Sequence, residues 1–408
     1  MAETSPERPA PAGRAELLVG VPAEPDRLAA ADAALAVEAL LREAFPSFAA
    51  RAVVVTDDPQ GASPPGGLPP PAPGGAPAAV YTGGRLGPDT ALPTLLEAAL
   101  AHDAAACALV EAGPREPGAE WVRLLFGPVV EGGFDLVCPA YRRGRLEGLL
   151  ATGLASPLTR ALFGARLRQP LGREIALSRR AAEQVLLEQG GRPDSAQAAA
   201  DLWVITKALA REARVCESFL GVRPPPAGPQ PDVAHALARV LRTLFQEMDA
   251  LAPRWQRVRG SAPVATFGDP GFPDEPATPP AVGPLVSAFA QGWRDLRPLW
   301  AMVLPPQTLL GLQRLRTDPP EAFRLGDETW ARVVYDFAVA WHHKVMDRGQ
   351  LLLSMTPLYM GWAAGWASEI FALDPSAADA RVDRLGQAFE AEKRYLISRW
   401  RWPDRFSP

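Results

Sequence analysis

Few residues of this chain combine a reactive type with a telling spacing. His342 and His343 are adjacent in a helix-like run and have no third ligand nearby, so packing and surface exposure explain them better than metal binding. Cys107, Cys138 and Cys216 lie in or beside apolar runs and form no Cys-x-x-Cys pair; they read as reduced core thiols of a cytoplasmic protein. Trp362 and Trp366 stand at helical spacing and read as core rather than as a sugar-stacking platform. Arg142, Arg143, Arg168 and Arg173 fall close together in sequence, and a guanidinium fork suits phosphate. The bland reading of Arg142 and Arg143 is a solvated pair, and of Arg173 a surface substitution. Asp58 could cap its own turn, and Glu111 could be a solvated loop acid. No Gly-x-x-x-x-Gly-Lys-Ser/Thr, no Gly-x-Gly-x-x-Gly after the first strand and no Gly-x-Ser-x-Gly occurs. That excludes a P-loop and argues against a dinucleotide-binding domain and an α/β-hydrolase.

The elements that must position such residues alternate in the first half. Glu16–Val21 and Ala52–Thr56 read as strands, with a helix between them capped by Asp26 and running to about Glu43. A Pro/Gly-rich loop from Asp57 to about Gly87 leads to a helix over 91–102 and a strand over Ala105–Val110. A helix from Glu120 should stop at Gly127-Pro128, before a strand at Phe134–Cys138. This alternation predicts a parallel sheet with right-handed crossovers. Ligands gather beyond the carboxyl ends of such strands, here the loops Pro22–Pro25, Thr56–Gln60 and Glu111–Pro114. The second half reads as helices over 233–257, 282–300, 328–347, 351–373 and 377–399.

The chain has 408 residues, is 48% hydrophobic and 22% charged, and carries a net charge of −4. It is long enough for one large or two medium domains, and it lacks the basic field that concentrates nucleic acid. No apolar run is long enough for a membrane span, because 351–373 is interrupted by Pro357, Gly361, Gly365 and Glu369. Nothing resembles a secretory signal. The expected organisation is a disordered tail over 1–14, an α/β domain over 15–228 and an α-helical domain over 229–408.

Several segments are family-specific. They are Gly133-Phe-Asp-Leu-Val-Cys-Pro-Ala-Tyr-Arg-Arg143, Pro157 to Gly172 with its Arg-Gln-Pro-Leu-Gly end, Asp201-Leu-Trp203 and Arg214-Val-Cys-Glu-Ser-Phe-Leu-Gly221. Val333-Val-Tyr-Asp-Phe337 and Thr356-Pro-Leu-Tyr359 continue the series. From about Glu16 to about Trp400 the sequence resembles bacterial family-2-like glycosyltransferases related to the mannosylglycerate and glucosylglycerate synthases. The resemblance implies a GT-A, Rossmann-like nucleotide-sugar-binding domain followed by a helical C-terminal domain. It implies transfer of a hexose, with retention, from a nucleoside-diphosphate sugar to a small acidic, glycerate-like acceptor. It also implies Mg²⁺ or Mn²⁺, which would stabilise the diphosphate as it leaves. Pro22 and Ala23 would cradle the nucleobase and ribose, and Asp58 would contact the base. Gly172 is kept, while Glu174 and Asp201 would lie at the transferred sugar and acceptor.

The chain departs from the family pattern where charge matters most. The Asp-x-Asp expected after the third strand is Glu111-Ala112-Gly113, leaving Glu111 as the residual metal- or diphosphate-side group. Gly87-Pro88-Asp89-Thr90 replaces a Gly-Lys-Gly-Ser loop, and the family's histidine is absent at 224–226. Arg173 could stand in for the lost positive charge. Two readings remain open: an active transferase with weakened or no metal dependence, or a catalytically degenerate scaffold that binds or docks a partner. The helical half could serve as a homodimer surface, a docking face, or the lid and acceptor half of a transferase.

Overall fold

The computed structural model describes residues 15–60, 62–64, 78–82, 90–112, 118–172, 174–187, 199–222, 232–271 and 279–402. The expected tail over 1–14 lies outside these. The strands are β1 (Leu17–Pro22), β2 (Ala50–Thr56), β3 (Ala78–Tyr81), β4 (Ala106–Leu109), β5 (Leu136–Arg142), β6 (Ala165–Arg166), β7 (Ile175–Ser178), β8 (Val215–Val222), β9 (Ala262–Pro263) and β10 (Ala265–Phe267). Eight of them form one sheet in the order β10-β8-β5-β7-β4-β1-β2-β3, and β6 pairs with β9 apart from it.

Helices α1 (Arg27–Ala44), α2 (Ala91–Ala101), α3 (Ala119–Val130), α4 (Ser156–Phe163), α5 (Arg179–Leu187) and α6 (Ala200–Ala210) belong to the first half. Asp26 caps α1 as expected, its carboxylate accepting from the Leu28 and Ala29 amides. The sheet is covered on both faces, which explains its near-continuous apolar strands. Along β1, Leu17, Val19 and Val21 pack with α1 and α3, while Leu18 faces the α2, α5 and α6 side.

The sheet is mixed rather than parallel throughout. β7 runs antiparallel to both β4 and β5. The side chain of Gln169 donates to the Tyr141 carbonyl at 2.7 Å and accepts from the Tyr141 amide at 3.1 Å. The chain is thus held at the carboxyl end of β5 just before β7, and it can only enter the sheet running the other way. Helix α3 continues through Gly127-Pro128 instead of stopping there. Pro128 falls in its last turn, and the Glu131 amide still reaches the Gly127 carbonyl at 2.8 Å. The expected loop over 57–87 contains β3, an edge strand too short to show a pattern.

The helical half comprises α7 (Val233–Ala250), α8 (Ala252–Trp255), α9 (Gly283–Val303), α10 (Pro306–Leu315), α11 (Asp327–His342), α12 (Arg348–Ser354), α13 (Thr356–Phe371) and α14 (Pro375–Arg401). The helix expected over 351–373 is two, divided at Met355 just before Pro357 in the first turn of α13. β10 adds to the β8 edge of the sheet from beyond residues 223–231. The Trp362 and Trp366 side chains are buried, as a core reading requires.

One segment from the first half enters the helical core. A π-helical turn, Ala151–Ala155, runs directly into α4, and Leu154, Leu158 and Leu162 pack with the helical half. Trp330 donates its indole N–H to the Gly153 carbonyl at 2.8 Å. A Cβ on Gly153 would stand 2.3 Å from the Trp362 ring. Buried indoles on a helix cannot easily yield, so Gly153→Ala should destabilise the fold by about 1–3 kcal/mol. Urea unfolding should show a lowered midpoint with an unchanged slope.

Candidate functional site

The chain passes from β1 outward to β2 and β3, then returns to place β4 on the other side of β1. That reversal makes the carboxyl ends of β1 and β4 the topological switch point of the sheet, the place where open α/β sheets take their ligands. Pro22 ends β1, and Ala23 is buried with its amide on the Val55 carbonyl at 2.9 Å. Glu111 follows β4 by two residues and is half-buried. β7 runs down from the same edge. Extending its register with β4 (Leu109 opposite Ile175) by one residue sets Glu174 across from Val110. Glu174 is buried.

Asp58 lies past the end of β2, which is two strands, roughly 10 Å, from β4. Both of its oxygens are engaged. Oδ1 accepts from the Gln60 amide at 2.9 Å, an Asx turn, and Oδ2 takes Arg27 Nη1 at 2.7 Å. The Gln60 amide first, and then Arg27, hold this carboxyl below its usual pKa. Arg27 is the first residue of α1 and meets Asp58 across 31 positions of sequence. No local pattern announces that contact.

Asp201 lies in the first turn of α6, whose cap is Ala199. Its Oδ1 contacts the amide of the next residue, Leu202, at 2.9 Å. Helix α6 ends four residues before β8 begins at the amino edge of the sheet. Its 11 residues rise roughly 16 Å toward the carboxyl edge, carrying Asp201 with them. The field of Asp201 is felt at Cys138 in mid-β5, together with that of Glu217.

Glu217 was not singled out from the sequence, although it lies within the quoted Arg214–Gly221 segment. It is 2% exposed on β8, opposite Cys138. Its carboxylate accepts from the amides of Arg168 at 2.6 Å and Gln169 at 3.3 Å. Burial pushes its pKa up from 4.5 to about 7, against those two hydrogen bonds and the Arg168 charge. An acid inside an otherwise apolar strand was the available signal. The loop carrying Arg168 and Gln169 ends at Gly172, where a Cβ would stand 2.5 Å from the Pro139 ring of β5. Only glycine lets the loop lie this close.

The arginines considered for phosphate have other partners. Arg142 pairs with Asp269 at 2.7 Å, and Arg168 meets Asp379 at 3.5 Å. Arg143 lies against Gly148. His342 Nδ1 meets Asp249 at 2.7 Å and its ring stacks on Trp400. Residues 87–89, Gly113, Arg173 and 224–226 lie outside the described residues.

Among the described residues no group of three or more His, Cys, Asp or Glu side chains could hold a metal ion. At the end of β4 the donor set is Glu111, followed by an alanine. These residues do not fit a carboxylate-held Mg²⁺ or Mn²⁺, and no chemical step is routed through one below. No described helix is long and apolar enough to cross a membrane.

Sheet order and helix packing together define a mixed α/β protein with acids on the loops at one sheet edge and a helical half packed beside it. The sequence matches no family model and no curated protein. Among solved structures the chain is similar to glucosyl-3-phosphoglycerate synthase from Mycobacterium tuberculosis. In complex with phosphoglyceric acid that enzyme is 18% identical, with a TM-score of 0.40 over 58% of this chain and 79% of the other. Another structure of it gives 20% identity and a TM-score of 0.39, over 64% and 83%. Its complex with Mn²⁺, UDP and glucosyl-3-phosphoglycerate gives 20% and 0.37, over 64% and 82%. At these values the likeness assigns neither activity nor ligand to this chain.

The raised pKa of Glu217 has a stability consequence. A folded-state pKa above the unfolded one means that the native chain holds the proton more tightly. That contribution is complete below about pH 4.5 and is lost as pH rises through about 7. Glu217→Gln removes the titration. Relative to wild type, the variant should gain about 1–3 kcal/mol between pH 4.5 and 8. Melting temperatures of both proteins across that range check it.

Proposed function

We propose that the chain binds a nucleoside-diphosphate sugar at the carboxyl edge of the sheet and transfers its hexose to a small acidic, glycerate-like acceptor. What supports this reading is that Asp58, Glu111 and Glu174 adjoin strand ends on the same, carboxyl, side of the sheet around the β1/β4 reversal, and that α6 runs between its two sides with Asp201 in its first turn. The substrate class comes from the sequence resemblance to GT-A glycosyltransferases.

In this reading Pro22 and Ala23 floor the nucleoside pocket. Asp58 contacts the base, which requires exchanging its Gln60 or Arg27 hydrogen bond for one to the ligand. Glu111 lies on the diphosphate side. Glu174 and Asp201 orient the hexose and the acceptor hydroxyl, and Gly172 keeps the intervening loop close to β5. Arg173, next to Gly172 in sequence, supplies positive charge as the bond from the anomeric carbon to the diphosphate breaks. The acceptor oxygen forms the new bond to that carbon, with retention of configuration as the resemblance implies. The protein acts in the cytoplasm.

A second reading is a degenerate transferase that binds a ligand or a partner without catalysis. It is supported by the departures from the family pattern at Glu111-Ala112-Gly113 and Gly87-Pro88-Asp89-Thr90. Thermal shift with UDP-, GDP- and ADP-sugars, with and without Mn²⁺, separates the two. The transferase should be stabilised by one nucleotide sugar without metal, by about 2.7 kcal/mol at a hundred times Kd. Asp58→Asn should weaken that binding about tenfold, and Glu174→Gln should abolish transfer while leaving the thermal shift in place. Binding without transfer to any glycerate-like acid leaves the second reading, and silence across the panel removes the first.

A further inference from the structure

The helical half contains a cavity of about 340 Å³ at the junction of α13, α14 and the turn entering α11, remote in sequence from the loops just described. Its volume falls within the roughly 300–1,000 Å³ of small-molecule sites. Trp362, Gly365, Trp366 and Glu369 come from α13, Arg381 from α14, and Arg324 from the turn.

The chemistry of this lining is specific. Arg381 is nearly buried and fully committed: both terminal nitrogens bind Asp327, at 2.9 and 2.7 Å, and Nε binds Glu369 at 2.7 Å. Its guanidinium also lies over the Trp366 ring at 4.6 Å. Trp366 stacks on Trp362, and Trp362 on Trp330, each at 5.4 Å. The indole faces are therefore largely spoken for, and edges and polar groups remain for a ligand. The Trp366 indole N–H is buried and has no acceptor among the described residues. A buried donor without an acceptor is destabilising, and a bound oxygen would supply the missing partner. Glu369 is partly exposed (37%) and keeps a second carboxylate oxygen. Arg324 is exposed and spends one nitrogen on the Phe323 carbonyl at 2.7 Å.

Formal charge selects the ligand class. Arg324 and Arg381 together balance Asp327 and Glu369, so no net charge favours an anion or a cation. What remains is an N–H donor, a guanidinium donor and a carboxylate acceptor around a space of monosaccharide size. A hydroxyl both donates and accepts, so one ring of hydroxyls meets all three. We propose that this cavity binds an uncharged polyhydroxylated molecule of about monosaccharide size, with Trp366 and Glu369 as its principal hydrogen-bonding partners. The proposal does not depend on transferase activity at the sheet edge.

Saturation-transfer NMR with D-glucose and D-mannose, at tens of millimolar, tests it on the full chain. At least one of the two hexoses should give transfer, and acetate or inorganic phosphate should not compete it away. Trp366→Phe keeps the ring and removes only the N–H, and Glu369→Gln removes the carboxylate charge. Each should weaken binding about fivefold, the loss expected of one hydrogen bond, with transfer unaffected by saturating UDP. Should Trp366→Phe fail to fold, Glu369→Gln and the exposed Arg324→Ala carry the test. No transfer from either hexose, transfer unchanged in the folded variants, or displacement by phosphate or UDP would each overturn the proposal.

Discussion

The packing of the 151–163 segment into the helical half is the constraint on which the rest of the architecture rests. Gly153 has no side chain because the Trp362 ring occupies the place one would take, and its carbonyl receives the Trp330 indole. About two turns on, Arg160 is nearly buried and binds Glu390 at 2.8 Å and Asp383 at 2.5 Å, both on α14. Lys393 of α14 donates back to the Ala161 carbonyl at 2.6 Å, and its ammonium is pushed down to about 8 by burial. A charged side chain from each partner is thus desolvated against the other. Removing one member of such a set leaves an uncompensated buried charge, which costs far more than the intact contact contributes. The same segment leads by way of β6 into the 167–172 loop that fixes β7. The position of the carboxyl edge is therefore tied to the helical half through the backbone between α4 and β7.

Two buried acids of the sheet are held differently. At the amino edge Asp135 is buried and saturated: Arg180, the Arg214 amide and the Ser178 hydroxyl all bind it. These contacts outweigh burial and hold its carboxyl below the usual range. Within β8, opposite Cys138, Glu217 has two amides and a more distant arginine, and burial prevails. A carboxyl stapled by guanidinium holds the fold together. One left with only amide donors stays close to protonation at neutral pH, which is the condition in which a group can exchange a proton with something bound nearby.

The sequence pattern was readable where a single local rule decided the outcome. Asp26 before an Ala/Leu-rich run specified the start of α1, and the apolar runs of β1, β2 and β4 specified strands at nearly their observed bounds. It failed where tertiary context decided. Pro128 sits inside α3 at the loss of one amide-to-carbonyl bond, with only two helical residues left after it and the helix buried along the sheet. The reversal of β7 depends on a Gln169 side chain standing in for a strand partner, which no periodicity announces. Of the site, the loops bearing Asp58 and Glu111 followed from strand ends alone, whereas Glu174 and Asp201 were named only through family resemblance. Arg27 and Glu217 went unnoticed because their significance lies in partners 31 and 49 residues away.

Charge at the carboxyl edge frames the functional question most sharply. The nucleoside diphosphate proposed above would bring negative charge to an edge that already carries Asp58, Glu111 and Glu174. The described arginines nearby are spent: Arg27 on Asp58, Arg142 on Asp269, Arg168 on Asp379. The α1 N-terminus, whose amides could face a phosphate, is closed by its own Asp26. Two routes could still accommodate the ligand. The Asp58–Arg27 pair can open, so that the ligand's base takes the carboxylate and its phosphates the guanidinium. The alternative countercharge is Arg173, which lies between Gly172 and Glu174 in sequence. Both routes replace a divalent ion by guanidinium, whose charge is permanent and whose fork matches phosphate oxygens. Binding by either route should therefore be insensitive to chelator and sensitive to salt, which is the opposite of what a carboxylate-held metal would produce.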